Sequence, residues 1–506
     1  MFDKRNSFIV LIAALVVLAF VLAWISAPFG SSSGWISFLL ALTLSAAILF
    51  GAWKMVGVEG PPKWLLSLLM AAALLRLAVG AAWYVALPEY GYDTPVQDAG
   101  YVMEDAYNRD HAAWDLAESE LPLTEAFRGL SSTDQYGGLL FLSAGIYRYL
   151  GAPSHLPLLI LLPLAAVSAS ALLFAWAFAQ RVWDLRVAQL AAWGLAIYPE
   201  ATLLGSSQMR EAISVSLVMV AIYGLLRVKE KADATSYSLL LGPLALSALL
   251  SPPFAFSLLG LVTLTYLGLG GWTLLRDRRI WLGLILVGIL AAAATFRSAG
   301  SDGLWIVQSA EWQAYVSANA SGWVARQFER MPLWGQIPFL LIYGIFRPLL
   351  PAALIADGLP IWRVVAVWRA LGWTVLLALL IYATYLVLRK GQLLKTPGSL
   401  IISNWVVVLV ASYRGGGDLW DNPRYRSAFA GVQLVLAAWA WVEYRKSDDP
   451  WLKRAFGGAL LMIAWFIPWY LRRYSAFDWP IVELHQVIGL GLASAALYAI
   501  WDWLAT

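Results

Sequence analysis

Apolar runs of about twenty residues recur along the whole chain, separated by short polar intervals. A helix of that length crosses the roughly 30 Å hydrocarbon core of a bilayer. The pattern predicts spans near 8–27, 35–52, 64–88, 156–179, 187–204, 209–227, 236–254, 257–275, 280–296, 364–388, 398–413, 427–443, 455–472 and 483–504. The expected fold is all-α, a polytopic transmembrane helical protein of about 12–14 spans with no separate soluble domain. The first run follows MFDKRNS without a small-residue cleavage pattern, so it reads as an uncleaved helix. Segments 137–150 and 337–350 are apolar but short for a span, and Pro348 and Pro351 break the second, so both are expected to be re-entrant or interfacial.

One interval breaks the pattern. Residues 91–151 form the longest polar stretch in the chain. Between Glu89 and Asp134 there are eleven acidic residues against two arginines. This acidic first loop, 89–136, is expected to be helical and functional.

Composition supports the membrane reading. Mean hydropathy is +0.69, and 13% of residues are charged, against about a quarter in soluble domains. There is no cysteine, which excludes disulfides, thiol nucleophiles and Cys-ligated zinc. His111, His155 and His485 are the only histidines and lie far apart in sequence, which argues against a histidine-rich metal site.

The net charge of +4 says less than its distribution. Lys4, Arg5, Lys54, Lys63, Arg181, Arg186, Arg227, Lys229, Lys231, Arg389, Lys390, Lys395, Arg445 and Lys446 all fall on one side if the N-terminus is cytoplasmic. The acidic loop then lies on the extracytoplasmic face with 199–208, 297–363, 414–426 and 473–482. Arg472-Arg473 runs against this scheme.

Several ionisable residues could carry chemistry at that face. If 97–117 is one helix, Asp98, Tyr101 and Asp105 share a side. A carboxylate there could take a proton from a hydroxyl or bind a divalent ion, or be solvated surface. Asp134 precedes an apolar helix, where a cap is the simpler role. Arg210-Glu211 opens the helix after Pro199; a helix N-terminus favours Glu211 by itself, and a site for an anionic lipid would need the same charges. Arg414, Arg424 and Arg426 in RGGGDLWDNPRYR, and Arg347 in IFRPLLP, could fork phosphate oxygens or meet headgroups. Arg76 sits mid-span, about 18 Å of helix from either end, and calls for a buried partner.

Taken in order, these pieces resemble the GT-C class of integral-membrane glycosyltransferases. The nearest branch holds the dolichyl-phosphate-mannose-protein mannosyltransferases, the aminoarabinose transferases and relatives acting on bacterial lipopolysaccharide core. LLRLAVG followed by QDAGYVMEDAY is similar to the family's first span and loop, with Gln97-Asp98 at its acidic pair and Tyr101 at its tyrosine. Asp134 to Leu139 stands where the family has Pro-Pro-Leu, with Gly-Gly in place of Pro-Pro. VWDLRVAQLAAWGLAIYPEATLLGSSQMREAISVSL is similar to its basic hairpin, proline-ended helix and following acid, which falls at Glu211. NPRYRSAFAGVQL is similar to its late Arg-Tyr motif.

The resemblance implies two additional N-terminal helices (1–63), a catalytic core (64–230) and a C-terminal bundle (231–506). It implies an enzyme of the cell (plasma or inner) membrane, with an extracytoplasmic site. A sugar would move from a polyprenyl-phosphate donor to a lipid, glycan or protein hydroxyl by a single inverting displacement. Asp98 would be the base, with Glu211, Asp134 and Asp105 tuning it or binding a divalent metal ion. Arg210, Arg424, Arg347 and Arg414 would hold the lipid phosphate, and Tyr101 and Tyr136 would contact sugar or acceptor. Membrane lipid is an expected partner and nucleic acid is not. The rival readings are a lipid-linked saccharide flippase or transporter, and a non-catalytic scaffold.

Overall fold

The computed structural model describes residues 4–26, 33–128, 136–270, 282, 285, 322–415, 421–447, 449–475, 477–481 and 483–505. Every regular element among them is helical. In the first part these are α1 (Lys4–Ser26), α2 (Trp35–Val56), α3 (Lys63–Tyr90), α4 (Pro95–Asp98), α5 (Glu104–Glu118) and α6 (Gly138–Tyr149). Next come α7 (Pro157–Val182), α8 (Leu185–Ile197), α9 (Pro199–Gly205), α10 (Arg210–Glu230), α11 (Ala234–Leu250) and α12 (Pro252–Gly268). Then follow α13 (Gly322–Arg330), α14 (Leu333–Phe346), α15 (Leu350–Ile355), α16 (Pro360–Arg389) and α17 (Thr396–Arg414). The last are α18 (Asp421–Ser427), α19 (Ala430–Ser447), α20 (Pro450–Tyr474) and α21 (Leu484–Ala505).

Among the described residues, eight helices are long and apolar enough to cross a bilayer, and five shorter apolar helices accompany them. The chain is an all-α multi-pass membrane protein, as its hydropathy predicts. The span expected at 280–296 lies outside the described residues, apart from 282 and 285. Helix α6 has 12 residues, so it is about 18 Å long and too short to cross by itself.

Helix α7 is the pillar of the bundle. From Pro157 to Ala179 every residue except Val167 is buried. A helix that is apolar all round belongs at a centre, and α2, α3, α8 and α10 pack around this one. Small residues let them approach. A Cβ on Gly80 of α3 would stand 2.2 Å from the side chain of Leu161.

The span expected at 187–204 is broken. Asp184 caps α8 by accepting from the Val187 amide, and Pro199 opens the separate helix α9. The break leaves carbonyls at the end of α8 without helical donors. Arg76 supplies them, donating to Leu195 O at 3.1 Å and Ala196 O at 3.4 Å. It also donates to Ala72 O at 3.0 Å and Ser168 Oγ at 3.1 Å. Two of the four partners of this buried cation are thus dipoles at a helix C-terminus.

The basic loops meet at one end of the bundle. Arg181 bridges Glu59 at 2.6 Å and also pairs with Glu230. Lys446 reaches Asp184 at 3.2 Å, and Arg389 reaches Asp449 at 2.5 Å. Helix α10 carries Glu230 at this end and Glu211 at the other, roughly 28 Å away at 1.5 Å per residue. The first loop and Arg424 gather around Glu211.

Candidate active site

The first loop is not one helix from 97 to 117. Thr94 caps the short α4 by accepting from the Gln97 amide, with Pro95 in the first turn. The chain then turns through Gly100 at φ +79°, where a Cβ would press within 2.8 Å of the Tyr84 backbone. Only glycine adopts that conformation without strain, so the helix cannot continue. Asp98, Tyr101 and Asp105 therefore do not share a face, contrary to the sequence expectation.

The three residues have different surroundings. Asp98 ends α4 and is exposed. Tyr101 is buried and donates its hydroxyl to Asp110 Oδ2 at 2.5 Å. Asp105 lies in the first turn of α5 and faces α18.

At α18 three of the sequence candidates meet, and three more act beside them. Arg424 Nη1 donates to Asp105 Oδ2 at 2.7 Å, and its Nε lies 3.5 Å from Glu211 Oε1. The other oxygen of Glu211, Oε2, is buried and unpartnered. Arg210 stacks over the Tyr136 ring at 5.1 Å. Arg414, at the end of α17, acts electrostatically on the Tyr136 hydroxyl from the same side.

The fields follow from this layout. Partial burial pushes the Asp105 carboxyl up, but Arg424, Arg109 and Arg210 pull it down further, and it settles below its ordinary 3.8. Asp105 is thereby held as a carboxylate whose side chain remains half exposed. Burial raises the Tyr136 hydroxyl above 10, and Arg210 and Arg414 offset part of the rise.

Arg347 touches the other end of α18. It stands between α14 and α15, its guanidinium over the Tyr343 ring at 5.8 Å. Its carbonyl accepts from Arg426 Nη2 at 2.5 Å. Asp134 is outside the described residues.

Gly137 and Gly138 explain themselves locally. Gly137 adopts φ +74°, and a Cβ there would stand 2.0 Å from Ala126 O. A Cβ on Gly138 would stand 2.3 Å from Leu249 O. Proline, fixed near φ −65°, has no place at Gly137. The glycine pair lets the backbone approach that seats Tyr136 beneath Arg210.

Two features escaped the sequence reading. The first is Glu104-Asp105-Ala106-Tyr107, a second acidic pair followed by a tyrosine, whose Asp105 is the carboxylate that reaches Arg424. The second is Asp110, 1% exposed. Its carboxylate accepts from Tyr101, from Tyr147 at 3.0 Å and from Gln208 Nε2 at 3.1 Å, and His155 Nε2 lies 3.0 Å away. Beside it lies a cavity of about 30 Å³ lined in part by Trp83, Tyr84, Tyr101, Ser206 and Gln208. The only sequence signal for Asp110 is its polarity within a helix that buries one face.

Deeper in the bundle, Arg369 of α16 pairs with Glu200 of α9 at 2.8 Å, both buried. Arg426 lies over the Trp373 ring at 3.3 Å, also buried.

No family model matches the chain, and no curated protein does. Among the solved structures similar to it are two oligosaccharyltransferases of Archaeoglobus fulgidus. One is the archaeal oligosaccharyltransferase AglB with an inhibitory peptide and a dolichol-phosphate, at 16% identity and TM-score 0.39, covering 86% of this chain and 55% of that one. The other is an apo form, at 16% identity and TM-score 0.42, covering 87% of this chain and 55% of that one. The chain thus spans little more than half the length of the structures it matches.

Proposed function

We propose that the chain is a membrane glycosyltransferase that takes a sugar from a polyprenyl-phosphate donor and passes it to an acceptor hydroxyl. Two lines support this reading: the likeness of its sequence motifs to the GT-C class, and the grouping of the residues at those motifs. The observation that carries it is Arg424 held between Asp105 and Glu211, with Arg210 on Tyr136, at the end of the bundle opposite the basic loops. That end is extracytoplasmic if the basic loops are cytoplasmic, and the membrane is the plasma or inner membrane.

The chemistry asks for a base and for cations. Asp105, half exposed and held ionised, takes the proton of the acceptor hydroxyl. The acceptor oxygen bonds to the anomeric carbon as the bond from that carbon to the phosphate oxygen breaks. The electron pair leaves with the phosphate, and the configuration inverts. Arg210, Arg414 and Arg424 stabilise the charge that grows on the phosphate. Glu211 orients Arg424. This places the base at Asp105 in preference to Asp98, which stands exposed at the end of α4.

The described residues do not fit a divalent metal. Arg424 already lies between Asp105 and Glu211, and among the described residues no three acidic or histidine side chains gather to hold a cation. The transporter reading asks for ionisable groups along a path through several spans. Arg76, Glu200 and Arg369 are deep, but all three are sealed, at 0%, 1% and 3% exposure.

The test uses purified protein in lipid nanodiscs and a panel of labelled polyprenyl-phosphate sugars, with a membrane lipid and glycan extract as acceptor. Transfer of label by the parent, with loss in Asp105→Asn, supports the reading. Full transfer by Asp105→Asn, or no transfer from any donor, overturns it.

A further inference from the structure

Helix α5 carries the proposed base, yet Asp105 itself is half exposed and ties α5 only to Arg424. The C-terminal end of α5 is held by Arg148 of α6, which donates to Ala117 O at 3.1 Å and Ser119 O at 2.8 Å, and its buried side carries two more charged residues, Arg109 and Asp110. Both reach the same distant residue. Arg109 Nη1 donates to the Gln208 carbonyl at 2.8 Å, and the Gln208 side-chain amide donates to Asp110 at 3.1 Å. That amide also donates to the Pro157 carbonyl at 2.8 Å, at the start of the central helix α7. Gln208 stands two and three positions before Arg210 and Glu211. The clamp therefore joins the helix of Asp105 to the turn that launches Glu211.

The remaining partners of Asp110 extend the clamp. Tyr147 comes from α6, and His155 from the loop entering α7. His155 packs edge-on against His111 of α5 at 4.6 Å. A carboxylate only accepts, and here it faces donors from four stretches of chain. A buried polar network of this kind fixes one arrangement when its members are satisfied.

We propose that Asp110, acting with Gln208, is a positioning centre that holds Asp105 at its distance from Glu211 and Arg424. Asp110 touches neither reacting group; it acts through the placement of α5. This rests on the glycosyltransferase reading for its purpose, but its test needs no substrate.

Because the chain has no cysteine, introduced cysteines carry labels uniquely. Spin labels are placed on Glu104→Cys, exposed on α5, and on Leu249→Cys, 53% exposed at the end of α11. Pulsed electron resonance then reads the distance between them in detergent-purified full-length protein. The expected result is one narrow distance in the parent, and a shifted or broadened one in Asp110→Asn at temperatures where that variant stays folded by tryptophan fluorescence. Tyr147→Phe, which removes one donor and keeps the ring, is expected to broaden the distribution less. Asp110→Glu, which keeps the charge, is expected to lie nearer the parent than Asp110→Asn. A role in global stability alone would lower the melting temperature and leave the folded-state distance unchanged, and that result overturns the proposal. Should Asp110→Asn not fold, Tyr147→Phe decides: an unchanged distribution overturns it. These outcomes are independent of whether any sugar is transferred.

Discussion

Arg424 and Asp105 are 319 positions apart in the chain, and their side chains meet at 2.7 Å. The contact closes the acidic first loop against a short helix near the other end of the sequence.

The first expectation concerns this pair. Asp105→Asn and Arg424→Gln should each lower transfer by about 10²-fold or more, and the double variant should be little worse than the poorer single, because residues acting as a unit are not additive. Asp105→Asn should change stability little, by about 0–1 kcal/mol, because Asp105 is half exposed and its ion pair is screened; Arg424→Gln should cost more, because Arg424 is buried and its loss also strips Glu211 of its cation. Release of polyprenyl phosphate and thermal melting, measured on the same samples, check both halves.

Acid should weaken the same contact. The Asp105 carboxyl sits below its ordinary 3.8 in the folded protein. Its contribution to stability is therefore complete above 3.8 and is lost as the pH falls through the depressed value. Above 3.8 the ion pair should give a flat profile. Melting temperatures of the parent and of Asp105→Asn, compared across acid pH, should converge only below 3.8. A gap that closes at neutral pH would contradict this.

Glu200 and Arg369 form a sealed pair, at 1% and 3% exposure. Removing the Glu200 charge takes the paired carboxylate from a buried cation, at a cost of about 3–5 kcal/mol. Glu200→Gln should therefore lower the melting temperature strongly. Adding Arg369→Met to Glu200→Gln should restore much of the loss. Calorimetry of the two variants tests the ordering.

Gly137→Ala forces a Cβ to within 2.0 Å of Ala126 O from a left-handed backbone. It should cost about 1–3 kcal/mol and move Tyr136 away from Arg210. The melting temperature reads the first effect, and a lowered affinity for the lipid-phosphate donor reads the second.

Long-range structure was legible where one physical signal acts alone. Helices α2, α3, α7 and α10 coincide with apolar runs because a helix that crosses a bilayer must be apolar along its length, whether it faces lipid or protein, and local composition reports that. The break at Pro199 was read as an outside turn, but its true form depends on Arg76, which lies over a hundred residues earlier and accepts no place in a periodicity. The site divides in the same way. Glu211, Arg210 and Arg424 could be singled out as charges at helix mouths. The shared face of Asp98, Tyr101 and Asp105 requires one helix through Gly100, and the left-handed backbone there rules it out. Asp110 was passed over because its partners stand 9, 37, 45 and 98 positions away. No local pattern reports such convergence.

The grip of Arg76 on the carbonyls of α8 also bears on how a lipid could come and go. It rivets α3 to the broken segment α8–α9 in the bundle's interior, where water cannot take over its hydrogen bonds. That wall is stiff. On the proposed function a polyprenyl tail would be admitted along another part of the circumference, so a covalent bridge between α3 and α8 should leave turnover intact.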